Sequence, residues 1–187
     1  MRVIAGTARS LRLMTPNGQG TRPTTDRIKE TLFNILNPYL ADCVFVDLFS
    51  GSGGIAMEAL SRGAAKAWLV ENGEEACSCI RQNIKSTDME ECAVLLKQDV
   101  IAALSSIHEK SVDIIFMDPP YEAGYERRVL EKLAGQNYVT RDTILITEAL
   151  LSADFSWAEE LGYEITREKK YKTNKHVFMR KIKEDTF

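Results

Sequence analysis

Asp118, Pro119, Pro120 and Tyr121 stand together at the end of an apolar run, residues 112–117, that is broken only by Asp113. Neither a strand ladder nor a helix continues through Pro-Pro, so the run ends as a buried-type strand and delivers Asp118 to its C-terminal edge. The residue before a proline is held extended and each proline fixes its own φ, which keeps Asp118 and Tyr121 in a stiff relation. The Asp118 carboxylate and the Pro119 carbonyl offer two acceptors for the two N–H bonds of a planar amino group, and Tyr121 offers a ring to stack on. Taken alone, the same four residues also suit a proline-rich turn with a helix-capping Asp.

A second cluster lies upstream. The sequence DLFSGSGG, residues 47–54, carries a strand directly into a helix. Gly51 and Gly53 permit a tight turn and let backbone N–H groups approach a ligand at a positive helix start. The residue three after Gly53 is Ala56, which the dinucleotide fingerprint tolerates, so the loop by itself leaves an oxidoreductase open. Glu71, at the end of the next strand, is placed to accept from both hydroxyls of a ribose. Asp99, after the third, is placed to meet an adenine edge or simply to cap the following helix. In an open α/β sheet such strand ends face one crevice, the expected ligand site.

The elements that must hold these residues follow from the pattern. Residues 2–6 and 10–14 read as two short β pieces forming a small N-terminal hairpin extension, with a turn or loop at 16–20. In residues 22–36 Thr24 or Thr25 caps a helix with a stripe of Ile28, Leu32, Phe33, Ile35 and Leu36, closed by Pro38. Arg22, Arg27 and Lys29 near its start oppose the helix dipole, which points to a ligand reason or to a solvated helix start. Strands at 43–48, 67–71, 93–97, 112–117 and 143–147 alternate with helices at about 53–62, 74–86, 100–109 and 125–134, which implies a parallel sheet with right-handed crossovers. Residues 163–171 and 176–182 form an antiparallel hairpin at one edge. The expected organisation is one α/β domain over 1–187: a hairpin extension at 1–21, then a helix and a Rossmann-like core at 22–187.

The 187 residues can bury about two-thirds of the unfolded surface in one core. No apolar run approaches the roughly 20 residues of a membrane span, and the N-terminus lacks a signal-type apolar region, so a soluble cytoplasmic protein is expected. Cys43, Cys77, Cys79 and Cys92 have no metal-type spacing and are expected as reduced thiols with no metal. The net charge of −3 hides an asymmetry: residues 1–36 hold six Lys/Arg against two Asp/Glu, residues 163–187 eight against four, and the middle is left at −11. If the two ends meet, they make a positive surface able to contact phosphates; otherwise they are solvated tails.

With DLFSGSGG, Glu71, QDV at 98–100 and DPPY in place, the chain resembles the S-adenosylmethionine-dependent amino-methyltransferases. RVIAG at 2–6, RPTTDRIKETLFNIL at 22–36 and EALSRGA at 58–64 narrow this: the chain is similar, over nearly its whole length, to the bacterial small-subunit (16S) ribosomal RNA guanine-N2 methyltransferase family, RsmD-like. The resemblance implies a Rossmann-like methyltransferase sheet, mostly parallel with an antiparallel edge hairpin, and S-adenosyl-L-methionine as cofactor. By position, Asp47, Phe49, Gly51, Ser52 and Gly53 would shape the methionine pocket, Glu71 would hold the ribose and Asp99 the adenine. Arg22, Pro23 and Thr24 would lie over the entrance, and Asp118, Pro119, Pro120 and Tyr121 would hold the target base. Three positions depart from the family pattern: Ser10 replaces a frequent Gly, Ala149 follows Glu148 where His is common, and Lys172 follows Tyr171 where Gly is usual.

The implied reaction is methyl transfer to the exocyclic N2 of a guanine in 16S rRNA, within the small subunit or an assembly intermediate, by a monomer. The base must be unpaired or flipped out to reach such a pocket. Adenine-N6 methylation of DNA or RNA stays open, because the same grip serves any planar amine. A nicotinamide-dependent oxidoreductase and a non-catalytic RNA-binding assembly factor are readings of a different class.

Overall fold

The computed structural model describes residues 1–16, 25–121 and 123–182. Seven strands form one sheet in the order β3-β2-β1-β4-β5-β7-β6. β1 (Val44–Leu48), β2 (Lys66–Glu71), β3 (Ala93–Lys97), β4 (Ile114–Met117) and β5 (Ile144–Leu150) run parallel, and β7 (Asn174–Lys181) joins β5 antiparallel with β6 (Tyr163–Lys170) outside it. Helices α1 (Asp26–Leu36), α2 (Gly54–Ser61), α3 (Glu74–Ser86), α4 (Val100–Ala103) and α5 (Tyr125–Ala134) cover the two faces. The strand order reverses between β1 and β4, so the crevice opens above the ends of those two strands.

Alternation along each central strand builds a core on both faces. Phe45, Phe116, Ile146 and Phe178 pack with Leu32 and Phe33 of α1 and Met57 of α2. Val46, Ile115, Met117, Leu145 and Val177 pack with Leu104 and with Val129 and Leu133 of α5. Strands buried on both faces read as nearly continuous apolar runs, which is why they were visible in the sequence.

Several boundaries move for identifiable reasons. α1 begins at Asp26, capped by Thr25 Oγ1, which accepts from the Ile28 N–H at 3.4 Å. α4 is one turn long, because a 3-10 turn at Leu104–Ser106 replaces the expected continuation to 109. The N-terminal hairpin holds a single antiparallel bridge, Arg2 with Arg12, flanked by N–H bonds from Val3 to the Leu11 carbonyl and from Leu13 to the Met1 carbonyl, while the Ile4, Ala5 and Ala8 N–H groups turn instead to Glu58 and Ser61 of α2. β5 runs on to Leu150, three residues past the expected end, since β7 supplies ladder partners as far as Asn174 opposite Leu150.

A buried ionic knot ties the N-terminal segment down. Glu58 accepts from the Ile4 and Ala5 N–H groups at 2.7 and 3.0 Å, from Lys29 Nζ at 3.1 Å and from Arg62 Nε at 2.7 Å. Lys29 Nζ also donates to the Arg2 carbonyl. Lys29 therefore serves neither as a ligand group nor as a solvated cation: it is fully buried, and burial pulls its ammonium below the usual lysine range against the pull of Glu58. Gly6 is required where the segment crosses α2, since a Cβ there would lie 1.7 Å from the Ser61 carbonyl oxygen.

Candidate active site

The turn after β1 is built from backbone conformations that few residues adopt. Phe49, Gly51 and Gly53 have φ of +63°, +55° and +77°, and a non-glycine in this region marks stored strain of the kind found at functional sites. The Gly53 N–H donates to the Ser50 carbonyl at 2.7 Å, and Ser50 Oγ donates to the Asp47 carbonyl at 2.6 Å. A Cβ on Gly53 would come within 2.8 Å of Leu69, so close packing of the turn on the sheet also demands glycine there. Asp47 is buried, and among the described residues its carboxyl accepts one hydrogen bond, from the Ala56 N–H at 3.2 Å. Burial raises its pKa to about 8, with the charges of Asp118 and Glu71 adding to the effect. This is a carboxyl poorly satisfied by its own protein, and it suits a cationic ligand group.

Glu71 is oriented by three backbone donors: Gly51 N–H on one oxygen at 2.9 Å, and Asn72 and Gly73 N–H on the other at 2.9 and 2.8 Å. Asp99 caps α4, its Oδ1 accepting from Ile101 and Ala102 N–H at 2.9 and 3.4 Å, so the capping role is realised and its second oxygen stays available. Phe49, Val70, Glu71, Asn72, Gln98, Asp99, Val100 and Tyr125 line one narrow cleft between these strand ends. Phe49 and Tyr125 meet edge to face there, with centroids 5.1 Å apart. The cleft can take a ribose on Glu71 and a flat base between apolar walls. Ser52 is not on it: its hydroxyl lies against the Met1 thioether at 3.8 Å, and its carbonyl accepts from Asn83.

Across the reversal point, β4 delivers Asp118 as the apolar run implied. Asp118 is half-buried, Pro119 buried, Pro120 exposed, and Tyr121 44% exposed. Burial and the neighbouring Glu148 charge push the Asp118 carboxyl up to about 7. The Tyr121 hydroxyl donates to Glu148 Oε1 at 3.5 Å. Asp47, Glu71 and Asp118 thus surround one crevice, while Arg22 and Thr24 lie outside the described residues.

Sequence reasoning missed the polar groups behind this loop. Glu148 on β5 accepts from His176 Nε2 at 3.1 Å and from Asn174 Nδ2, both on β7, and the Tyr171 hydroxyl meets His176 Nδ1 at 3.1 Å. An acidic residue in a buried strand beside the one carrying Asp118 was the available signal, but ending that strand at Thr147 hid it. A groove of about 450 Å³ beside this cluster is lined by Arg27 at the start of α1 and by Lys169, Lys170, Tyr171, Lys172 and Asn174 of the β6–β7 hairpin. The two basic ends of the chain do meet.

The comparisons with known proteins bear on this geometry. The model of the family described as "Conserved hypothetical protein 95" matches residues 1–180. The chain belongs to that family. A Bacillus subtilis relative, "Putative rRNA methyltransferase YlbH", is 33% identical over 150 residues, 79% of this chain and 82% of its own. The Escherichia coli K12 "Ribosomal RNA small subunit methyltransferase D" is 32% identical over 151 residues, 80% of this chain and 74% of its own. Among solved structures, "Putative methyltransferase yhhF from Escherichia coli" superposes with a TM-score of 0.82 at 27% identity, covering 98% of this chain and 99% of that one. The fold is the methyltransferase fold, with the mostly parallel sheet and antiparallel edge expected of it. No helix among the described residues is long and apolar enough to cross a membrane.

Proposed function

We propose that the protein transfers a methyl group from S-adenosyl-L-methionine to the exocyclic N2 of a guanine in 16S ribosomal RNA. The observation that carries the reading is the joint placement of DPPY and the Asp47–Glu71 turn around one crevice, in a chain whose relatives are named as rRNA methyltransferases. The donor set fits the cofactor: a poorly satisfied buried Asp47, a Glu71 carboxylate fixed by three N–H groups, and an apolar cleft ending at Asp99.

In this reading Asp47 meets the cationic methionine end, with Phe49, Gly51 and Gly53 shaping the turn; Glu71 accepts from the ribose hydroxyls and Asp99 meets the adenine edge. The cofactor supplies an electrophilic methyl group on a sulfonium. What the chain must do is hold a weak nitrogen nucleophile in line and keep water out. The Asp118 carboxylate and the Pro119 carbonyl accept from the two N–H bonds, favouring the pyramidal nitrogen that attacks, while Pro120 holds the turn and Tyr121 stacks on the base. The groove of Arg27, Lys169, Lys170 and Lys172 receives phosphates flanking the extruded nucleotide. The enzyme acts as a cytoplasmic monomer on the small subunit or an assembly intermediate.

The deciding experiment is transfer of labelled methyl from S-adenosylmethionine to undermethylated small subunits, naked rRNA and DNA, followed by nucleoside analysis. Label in N2-methylguanosine is expected; label in N6-methyladenosine, or none in any RNA despite cofactor binding, refutes the assignment.

A further inference from the structure

The roles just given leave a buried polar row unused. Met117 pairs with Thr147 across β4 and β5, so Asp118 leaves β4 at the level of Glu148, which pairs with His176 across β5 and β7. Alternation puts all three on the α1 face of the sheet, and the His176 ring meets Phe116 edge-on, with centroids 5.8 Å apart. Glu148 is 6% exposed and His176 fully buried. A carboxylate at that depth persists only with partners, and this one has three donors: His176 and Asn174 from β7 and the Tyr121 hydroxyl from the loop after β4. His176 is held in turn by Tyr171, and Asn174 keeps a buried Oδ1 without a hydrogen-bond partner among the described residues.

We infer that Glu148 and His176 are positioning residues of the transfer step: Glu148 holds Tyr121 at the stacking position and governs the charge of Asp118, and His176 fixes Glu148. The inference rests on the reading of DPPY as the amine site. Asp118 accepts its share of the amine's N–H bonds, beside the Pro119 carbonyl, most strongly as a carboxylate, and the charge of Glu148 in the adjacent strand opposes that ionisation. The other groups facing Asp118 do little to relieve it. From β1 comes Asp47, with Glu71 of β2 behind it; from the hairpin come His176 and Tyr171; from its own loop comes Tyr121. Of the α1 cations, Lys29 is taken by Glu58 and Arg27 lines the basic groove. Among the described residues no lysine or arginine is ion-paired with Asp118 or Glu148. His176, its Nε2 3.1 Å from Glu148, holds that carboxylate in place from β7.

The test separates charge from packing. In the full chain with 13C-carboxyl-labelled aspartate, the Asp118 resonance is assigned by Asp118→Asn and titrated without substrate. Glu148→Gln is expected to lower the Asp118 midpoint by about one pH unit and to move the acid limb of the methyl-transfer pH profile with it. Glu148→Asp, which keeps the charge but shortens the reach, leaves the midpoint near wild type while kcat falls by about tenfold through loss of the Tyr121 anchor. KM for the cofactor is unchanged in both. If Glu148→Gln does not fold, His176→Gln takes its place, with a fall in kcat of about tenfold at constant cofactor KM. An Asp118 midpoint unmoved in Glu148→Gln, or an unchanged kcat in Glu148→Asp or His176→Gln, overturns the inference. Failure of wild type to methylate RNA overturns the proposed function instead, and the titration still reads the Glu148–Asp118 coupling.

Discussion

At the scale of single residues, two carboxyls with raised pKa values do different work. In the proposed reaction Asp118 accepts from the target amine, so Asp118→Ala should reduce methyl transfer by at least about a hundredfold, while cofactor affinity measured by calorimetry stays nearly unchanged; joint loss of both would refute the division of roles. Asp47 is a cost to the free protein. Its folded pKa of about 8 lies above the value near 4 of an unfolded Asp, so between those values the unfolded state holds fewer protons and stability falls as pH rises. Asp47→Asn removes that penalty. The melting temperature of the cofactor-free variant should exceed wild type by a margin that grows from pH 5 to pH 9, and its cofactor affinity should drop by about tenfold or more. A margin independent of pH would contradict the burial argument. The strand-end positions of DPPY and Glu71 were legible in the sequence because proline, glycine and a strand-ending acid act through local backbone rules. Glu148, His176 and Asn174 were not, because their meeting depends on which strand pairs with β5, a non-local choice that no spacing encodes.

Elements explain why the turn after β1 can sustain its strain. α2 is buried along its whole length, and its Glu58 gathers the N-terminal segment and α1 around itself. The N-terminal segment in turn reaches the glycine turn, where Met1 lies against Ser52 and fills the space a Cβ on Gly54 would need, 2.0 Å from its sulfur. Removing one partner of a buried charge pair costs about 3–5 kcal/mol. Glu58→Gln leaves Lys29 with a buried charge and should lower stability by about that amount in denaturant titration; a loss below about 1 kcal/mol would mean that water compensates Lys29. Helical periodicity revealed the α1 stripe, but Lys29 read as a ligand group or a solvated cation at a helix start: nothing local distinguishes either from a lysine whose buried partner lies 29 residues away.

Across the whole molecule, a net charge of −3 coexists with a cationic groove because the sheet order carries the C-terminal hairpin to the side where α1 begins. The composition showed both ends to be basic; only the topology brings them together, beside Glu148 and the DPPY loop. A groove that holds phosphates binds through counterion release, so its contribution is read in salt dependence rather than in affinity at one salt concentration. Each lysine contacting a phosphate should add roughly 0.7–0.9 to the slope of log K against log salt. Replacing Lys169, Lys170 and Lys172 together by alanine should therefore weaken RNA binding and lower the slope by about two to three, and should do so equally for target and unrelated RNA, since phosphate contacts carry no sequence information. Cofactor affinity should not move, because the cleft proposed for the adenosine lies at the ends of β2 and β3, across the sheet from the hairpin. An unchanged slope would place the phosphates on another face, and a loss confined to the target RNA would make these lysines readers of sequence rather than holders of backbone.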